Sequence, residues 1–298
     1  MPKKSQKLKT THNQEEAISH DQSFKELIST FFIEFLELFL PEIARTIDPT
    51  SITFLQQEYF ADLVEGEDKI IDLLAEVKQA GEDATFLVHI EPQSTSRSIF
   101  PQRMFFYFSR LHQKHLKRIY PIAIFSYDEP YKEAENHYVV EFPDRKILDF
   151  NFLAIQLNRL DWRDYLDRSN PVAAALMSKM KIDQKDRPKV KAECLRLLVT
   201  LKLNPAKTRL ISKFVDTYLR LDVKEENLFQ AEIDIMDIAQ KEKIMQTLTS
   251  WEEKGIEKGK ESERRSLALK MLQENISLDT IARITEFSIS ELKDLANG

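Results

Sequence analysis

Two apolar runs separated by a short polar cluster constrain this chain most. KIIDLLAEVK (69–78) and TFLVHIEPQ (85–93) flank QAGEDA (79–84). Each run has the length and the branched, aliphatic content of a buried strand, and the Gly81 cluster is a turn signal. The pair therefore reads as an antiparallel hairpin. With the turn centred between Gly81 and Glu82, Lys78 lies opposite Thr85, Leu74 opposite His89, and Asp72 opposite Glu91. Directly opposed residues share a face, with Cβ atoms ~4.5–5.5 Å apart. Both flanks are apolar, so the pair belongs in the middle of a sheet. The second strand nevertheless ends by aiming His89, Glu91 and Gln93, which alternate along it, at one face.

Two carboxylates opposed near a sheet interior repel each other and lose hydration. A shared proton, a basic neighbour or a divalent cation can offset that. A carboxylate pair suits Mg²⁺, which keeps several waters and binds through one or two carboxylates plus a substrate phosphate. Such a cation activates water and neutralises a scissile phosphate. The plain alternative leaves Asp72 or Glu91 at a strand end in water. Glu76-Val77-Lys78 is a competing acid–cation pair on the first strand. Asp72 and Glu76 are roughly 13 Å apart along an extended strand, too far to share one ion. Glu91 is therefore the better partner of Asp72. His89 is either a core imidazole or a neighbour of the site.

Around the hairpin, residues 21–47 predict an amphipathic helix with Asp21 at its start and Pro41 ending or interrupting it. Strands are predicted over 52–60, 120–128, 137–142 and 147–157, with a helix over 98–118. From about 161 onward the 3.6-residue period dominates, through PVAAALMSKM, KVKAECLRLLVTLKL and TRLISKFVDTYLRL. The expected organisation is a disordered tail (1–19), an α/β core (20–160), a helical region packing on it (161–239), a charged helical linker (240–265) and a small helix-turn-helix-like tail (266–298). In that tail Ile281, Ala282, Ile284, Leu292 and Leu295 would pack together, with Ser288 capping the last helix. ISELKDLA carries Glu291 and Asp294, which makes it a poor phosphate reader. The tail is first a packing or oligomerisation module, which leaves room for a homodimer.

Composition excludes several classes. Only 5 glycines occur in 298 residues, and neither GxGxxG nor GxxxxGK[ST] is present, which argues against a Rossmann or P-loop enzyme. The lone Cys194 cannot build a disulfide framework and reads as a small core residue. No segment approaches the ~20 apolar residues of a membrane helix, and the N-terminus lacks a signal-peptide core, so a cytoplasmic protein without a membrane partner is expected. The formal net charge of −6 means that any DNA contact must come from a local patch. Arg103, Arg110, Lys114 and Lys117, spaced seven, four and three apart, would form one helical stripe able to meet phosphates, or a solvated face.

Three segments in order, HDQSFKELI (20–28), IIDLLAEVK (70–78) and FLVHIEPQST (86–95), resemble the recombination-promoting nuclease family. This is a transposase-like branch of the PD-(D/E)XK nucleases, and EKGIEKGKE resembles its charged Gly-containing segment. The resemblance implies a restriction-endonuclease-like mixed sheet flanked by helices. It implies a divalent-metal-dependent DNA endonuclease that promotes recombination in association with mobile elements. Asp72 and Glu91 would hold Mg²⁺ or Mn²⁺, with the carbonyl of Pro92 as a further ligand. Gln93 takes the position that the superfamily usually gives to Lys, as is typical of this branch. Asp21 would be an auxiliary acid or simply a helix N-cap. A catalytically inactive DNA-binding or protein-interaction protein on the same fold is the competing expectation.

Overall fold

The computed structural model describes residues 22–55, 59–61, 68–70, 73–79, 85–94, 99–274, 276–285, 287–289 and 291–292. The chain forms two units, one running to Met236 and one from Asp237.

The first unit opens with α1 (22–30) and α2 (Phe32–Phe39), joined by a turn at Phe31. Phe24, Leu27, Ile28, Phe31, Phe32, Phe35 and Leu36 are all buried, which is the spacing that the sequence predicts. Leu40 closes α2 by donating its N–H to the carbonyl of Leu36. Pro41 then starts the short α3 (Pro41–Ala44), where a missing N–H breaks no helical bond.

The strands are β1 (Thr53–Phe54), β2 (Tyr59–Ala61), β3 (Asp68–Ile70), β4 (Leu73–Lys78) and β5 (Thr85–Gln93). Helix α4 (Phe100–His115) follows, then β6 (Arg118–Phe125), β7 (His137–Phe142), β8 (Arg145–Asn151) and β9 (Leu153–Gln156). The main sheet has the order β1-β4-β5-β6-β9. β4 and β5 are antiparallel, whereas β5, β6 and β9 run parallel, so α4 is the crossover of a β5-α4-β6 unit. The result is a mixed α/β fold consistent with the PD-(D/E)XK architecture.

Three predicted strands divide in the structure. The 69–78 run becomes β3, paired with β2 in a small separate sheet, and β4 in the main one. The 52–60 run divides in the same way into β1 and β2. The 147–157 run breaks at Phe152, whose N–H donates to the carbonyl of Asn136. β8 thereby stays with β7, and β9 joins β6.

One sheet face is covered by α4. Leu74 and Leu87 pack against Tyr107 and Leu111, and Ala123 and Phe125 pack with Phe100, Met104, Phe150 and Phe152. Ala75, Val77, Val88, Ile90, Ile122 and Ile124 point to the other face and are also buried, so the sheet is covered on both sides. Helices α5 (Pro171–Leu176), α6 (Arg187–Thr200), α7 (Pro205–Tyr218) and α8 (Val223–Asp234) complete this unit. Cys194 is fully buried in α6, and burial pushes its thiol far above the ordinary range.

In the second unit, α9 (Ile238–Gln273) is one continuous helix. It covers the whole stretch predicted as a linker and runs into the predicted tail. Ala268 on α9 packs with Ile281 on α10 (Leu278–Thr285) and with Phe287 and Leu292. Ser288 caps the final turn as predicted, but Ile284, expected in this small core, is exposed. Ala268, Ile281, Phe287 and Leu292 are thus used within the chain, and a homodimer is not supported.

Candidate functional site

The observed β4–β5 register is the predicted one, with Lys78 opposite Thr85 and Leu74 opposite His89. The last described rung is Leu73 opposite Ile90. Asp72 and Asp21 lie outside the described residues. β5 is the central strand, and its alternate residues Leu87, His89, Glu91 and Gln93 face α4. Leu87 belongs to the apolar contact with Tyr107 and Leu111. The three polar residues beyond it are buried almost as deeply, at 0%, 3% and 6% exposure. Buried polar groups at this depth need partners, and α4 supplies one.

Phe100, Met104, Tyr107 and Leu111 form the sheet-facing stripe of α4, and Arg103 sits on its flank. Its guanidinium turns inward. Nη2 donates to the Oε1 of Gln93 at 2.5 Å and makes a looser 3.4 Å contact with the Oε1 of Glu91. The guanidinium carbon lies 4.9 Å from the ring centre of Phe100 and 5.9 Å from that of Tyr107. Cation–π attraction at these distances holds the group in place. On the other side of the carboxylate, the Nε2 of His89 is 3.4 Å from the Oε2 of Glu91. Neither ring nitrogen of His89 makes a hydrogen bond, so this is a close approach rather than a directional bond. The imidazole meets the Tyr107 ring edge-on at 5.8 Å. His89 is thus both a core residue and a neighbour of Glu91, and a basic neighbour does stand beside that carboxylate.

The basic stripe is corrected in two places. Arg103, partly exposed, turns to the buried polar row, where Phe100 and Tyr107 flank it and Glu91 and Gln93 offer it acceptors. Lys117 lies beyond the end of α4, which closes at Leu116, and its Nζ pairs with the Oε1 of Glu76 at 2.7 Å. Arg110 and Lys114 remain on α4. The same ion pair disposes of the competing Glu76-Val77-Lys78 motif. Glu76 faces Leu87 on the ladder, well short of Glu91, and its carboxylate is engaged by Lys117. One sequence signal pointed to Arg103: aromatic residues stand three before and four after it, one helical turn away on each side.

Pro92 falls beyond the last described rung to β4, so its missing N–H removes none of the described β4–β5 bonds. The carbonyl of Gln93 accepts from the backbone N–H of Ser126 and from its hydroxyl, which fixes the end of β5 against β6. Among the described residues no three His, Cys, Asp or Glu side chains converge as a metal cluster. The carboxylate of Glu91 is an oxygen donor of the kind that Mg²⁺ and Mn²⁺ take.

A mixed sheet whose central strand ends in a buried acid and amide, beneath a crossover helix, has the form of a PD-(D/E)XK-type core. Residues 19–159 match the model of the PD-(D/E)XK nuclease family transposase, so this part of the chain is similar to that family. No curated protein and no solved structure matches the chain. The family match indicates a nuclease-type function. Among the described residues, no helix is long and apolar enough to cross a membrane.

Proposed function

We propose that this protein is a divalent-metal-dependent DNA endonuclease of the cytoplasm that hydrolyses phosphodiester bonds and promotes DNA recombination in association with mobile elements. The observation that carries the reading is the buried row His89–Glu91–Gln93 at the end of the central strand, inside the segment that matches the nuclease family. Asp72 lies outside the described residues, and the register read from the sequence, whose Leu74–His89 and Lys78–Thr85 rungs are observed, would set it opposite Glu91. In this reading Asp72, Glu91 and the carbonyl of Pro92 hold Mg²⁺ or Mn²⁺. The cation, when bound, supplies charge neutralisation at the phosphate and a lower pKa for water. Glu91 is kept in place by His89 and Arg103. Gln93, a neutral amide, orients the water or a phosphate oxygen by hydrogen bonding. Arg110 and Lys114 on α4 are the residues proposed to meet the DNA backbone.

A supercoiled-plasmid nicking assay with Mg²⁺ or Mn²⁺ tests this. Wild type should nick, chelation by EDTA should stop it, and Asp72→Ala and Glu91→Gln should each lose about 100-fold or more in rate. Equal nicking by Asp72→Ala would sink the site, and an inert wild type would sink the activity. A second reading is favoured by one observation, the uncharged Gln93 beside Glu91. It makes the protein an inactive DNA binder on the same fold. That protein would retard DNA in a salt-sensitive gel shift without ever nicking it.

A further inference from the structure

We propose that Arg103 is a further catalytic residue: from α4 it supplies the cation that position 93 of β5 lacks, and contacts the scissile phosphate. The inference rests on the nuclease reading above. Phosphodiester hydrolysis builds negative charge on the phosphoryl oxygens, and fixed cations or donors aimed there are strongly rate-enhancing. Gln93, two residues past Glu91, can offer only a neutral amide. The nearest described cationic group is the guanidinium of Arg103, whose Nη2 touches the Gln93 Oε1 at 2.5 Å. Positive charge therefore reaches the place where β5 holds an amide, carried by a different element.

Three features separate this arginine from a structural one. First, its fork is incomplete. The Nε is buried and has no hydrogen-bond partner, and Nη2 makes both contacts to the site. Arginine has five donors in a planar fork that matches two phosphate oxygens at once. Second, the side chain is 16% exposed, against 4% for Glu91, so part of it is open to solvent and thus to an incoming phosphate. Third, Phe100 and Tyr107 hold the guanidinium from α4 without using its N–H groups. In this arrangement Gln93 is a positioning residue, because it holds Arg103 in place.

The test uses the full-length chain and five variants: Arg103→Met, Arg103→Lys, Arg103→Ala, Gln93→Lys, and Arg103→Met combined with Gln93→Lys. Plasmid nicking is measured with Mg²⁺, DNA affinity with Ca²⁺ in place of Mg²⁺, and folding by thermal melt. Arg103→Met keeps most of the stem and should lower the maximal nicking rate about 100-fold while DNA affinity changes only a few-fold. Arg103→Lys should recover part of that rate. Adding Gln93→Lys to Arg103→Met should return at least tenfold, because the charge is restored from β5. Guanidinium ion in the buffer should raise the rate of Arg103→Ala. A wild type that does not nick overturns the nuclease reading and this proposal with it. A wild type that nicks, with folded Arg103→Met nicking equally well, overturns only the proposal. So does a loss that neither Gln93→Lys nor guanidinium reverses, since that marks a structural arginine. If Arg103→Met and Arg103→Ala do not fold, Arg103→Lys decides through its rate against its affinity. A rate equal to wild type, or a fall in affinity that accounts for the whole loss, overturns the proposal.

Discussion

Leu116 closes α4 with φ at 51°, in the left-handed region where a Cβ crowds the following carbonyl. It does so while donating its N–H to the carbonyl of His112, the usual way a helix satisfies its last acceptors. The side chain gains little in return, being 81% exposed. Glycine adopts this conformation without the steric cost, and its larger entropy loss on folding offsets only part of the gain. Leu116→Gly should therefore stabilise the protein by about 0.5–1 kcal/mol. Thermal melting checks it, with a rise of about 2 °C expected. A fall would mean that the leucine makes contacts worth more than its strain. Arg103 poses the opposite problem at the same scale. Its number and helix were legible in the sequence, and its stripe followed from spacing alone. Its inward turn was not, because a flanking residue turns inward or outward according to which acceptors the sheet beneath presents. Those acceptors, Glu91 and Gln93, lie on β5, and the spacing of residues along α4 does not encode them.

Helix α8 shows how an element can be specified by its start rather than by its apolar stripe. Asp222 accepts from the N–H groups of Lys224 and Glu225, and Glu225 accepts in turn from the N–H of Asp222. The other oxygen of Glu225 accepts from Arg187 and Gln184, which fastens the capping box to the start of α6. The N–H of Glu225 is the largest influence holding the Asp222 carboxyl below its ordinary value of 3.8. A carboxyl depressed by folding stabilises the folded state above its ordinary pKa and loses that effect as pH falls through the folded value. Asp222→Asn keeps an acceptor but not the charge. The melting temperature of wild type should exceed that of Asp222→Asn near neutrality, and the gap should close below about pH 4. A gap independent of pH would assign the difference to geometry alone. Among the other elements, β5 and β7 have the bounds that the sequence predicts, since each is one uninterrupted run with a single destination. The runs that divided, 52–60, 69–78 and 147–157, are no less strand-like. They change partners midway, and partner choice is a tertiary property that local pattern does not encode.

At the scale of the molecule, the two units differ in what they can do alone. The unit ending at Met236 contains the whole main sheet, α4 and the matched segment 19–159, and with them every residue proposed for catalysis and DNA contact. Its cores lie on both faces of that sheet. The unit from Asp237 has a small core of its own, built from Ala268, Ile281, Phe287 and Leu292. Thirty-six residues of α9 in one helix span about 54 Å at 1.5 Å per residue, and much of that length carries alternating charge. A domain with its own core folds alone when few buried contacts cross its boundary. A chain ending at Met236 keeps the whole main sheet and the cores on both its faces, and should keep a cooperative melting transition within about 2 °C of the corresponding transition of the full chain. It should also keep the plasmid-nicking rate, because no proposed site residue is removed. An insoluble or non-cooperative fragment would show that the helical tail is part of the folding unit. A folded fragment with normal nicking but weakened DNA retention would assign the tail a part in holding DNA, which the acidic sequence ISELKDLA argues against.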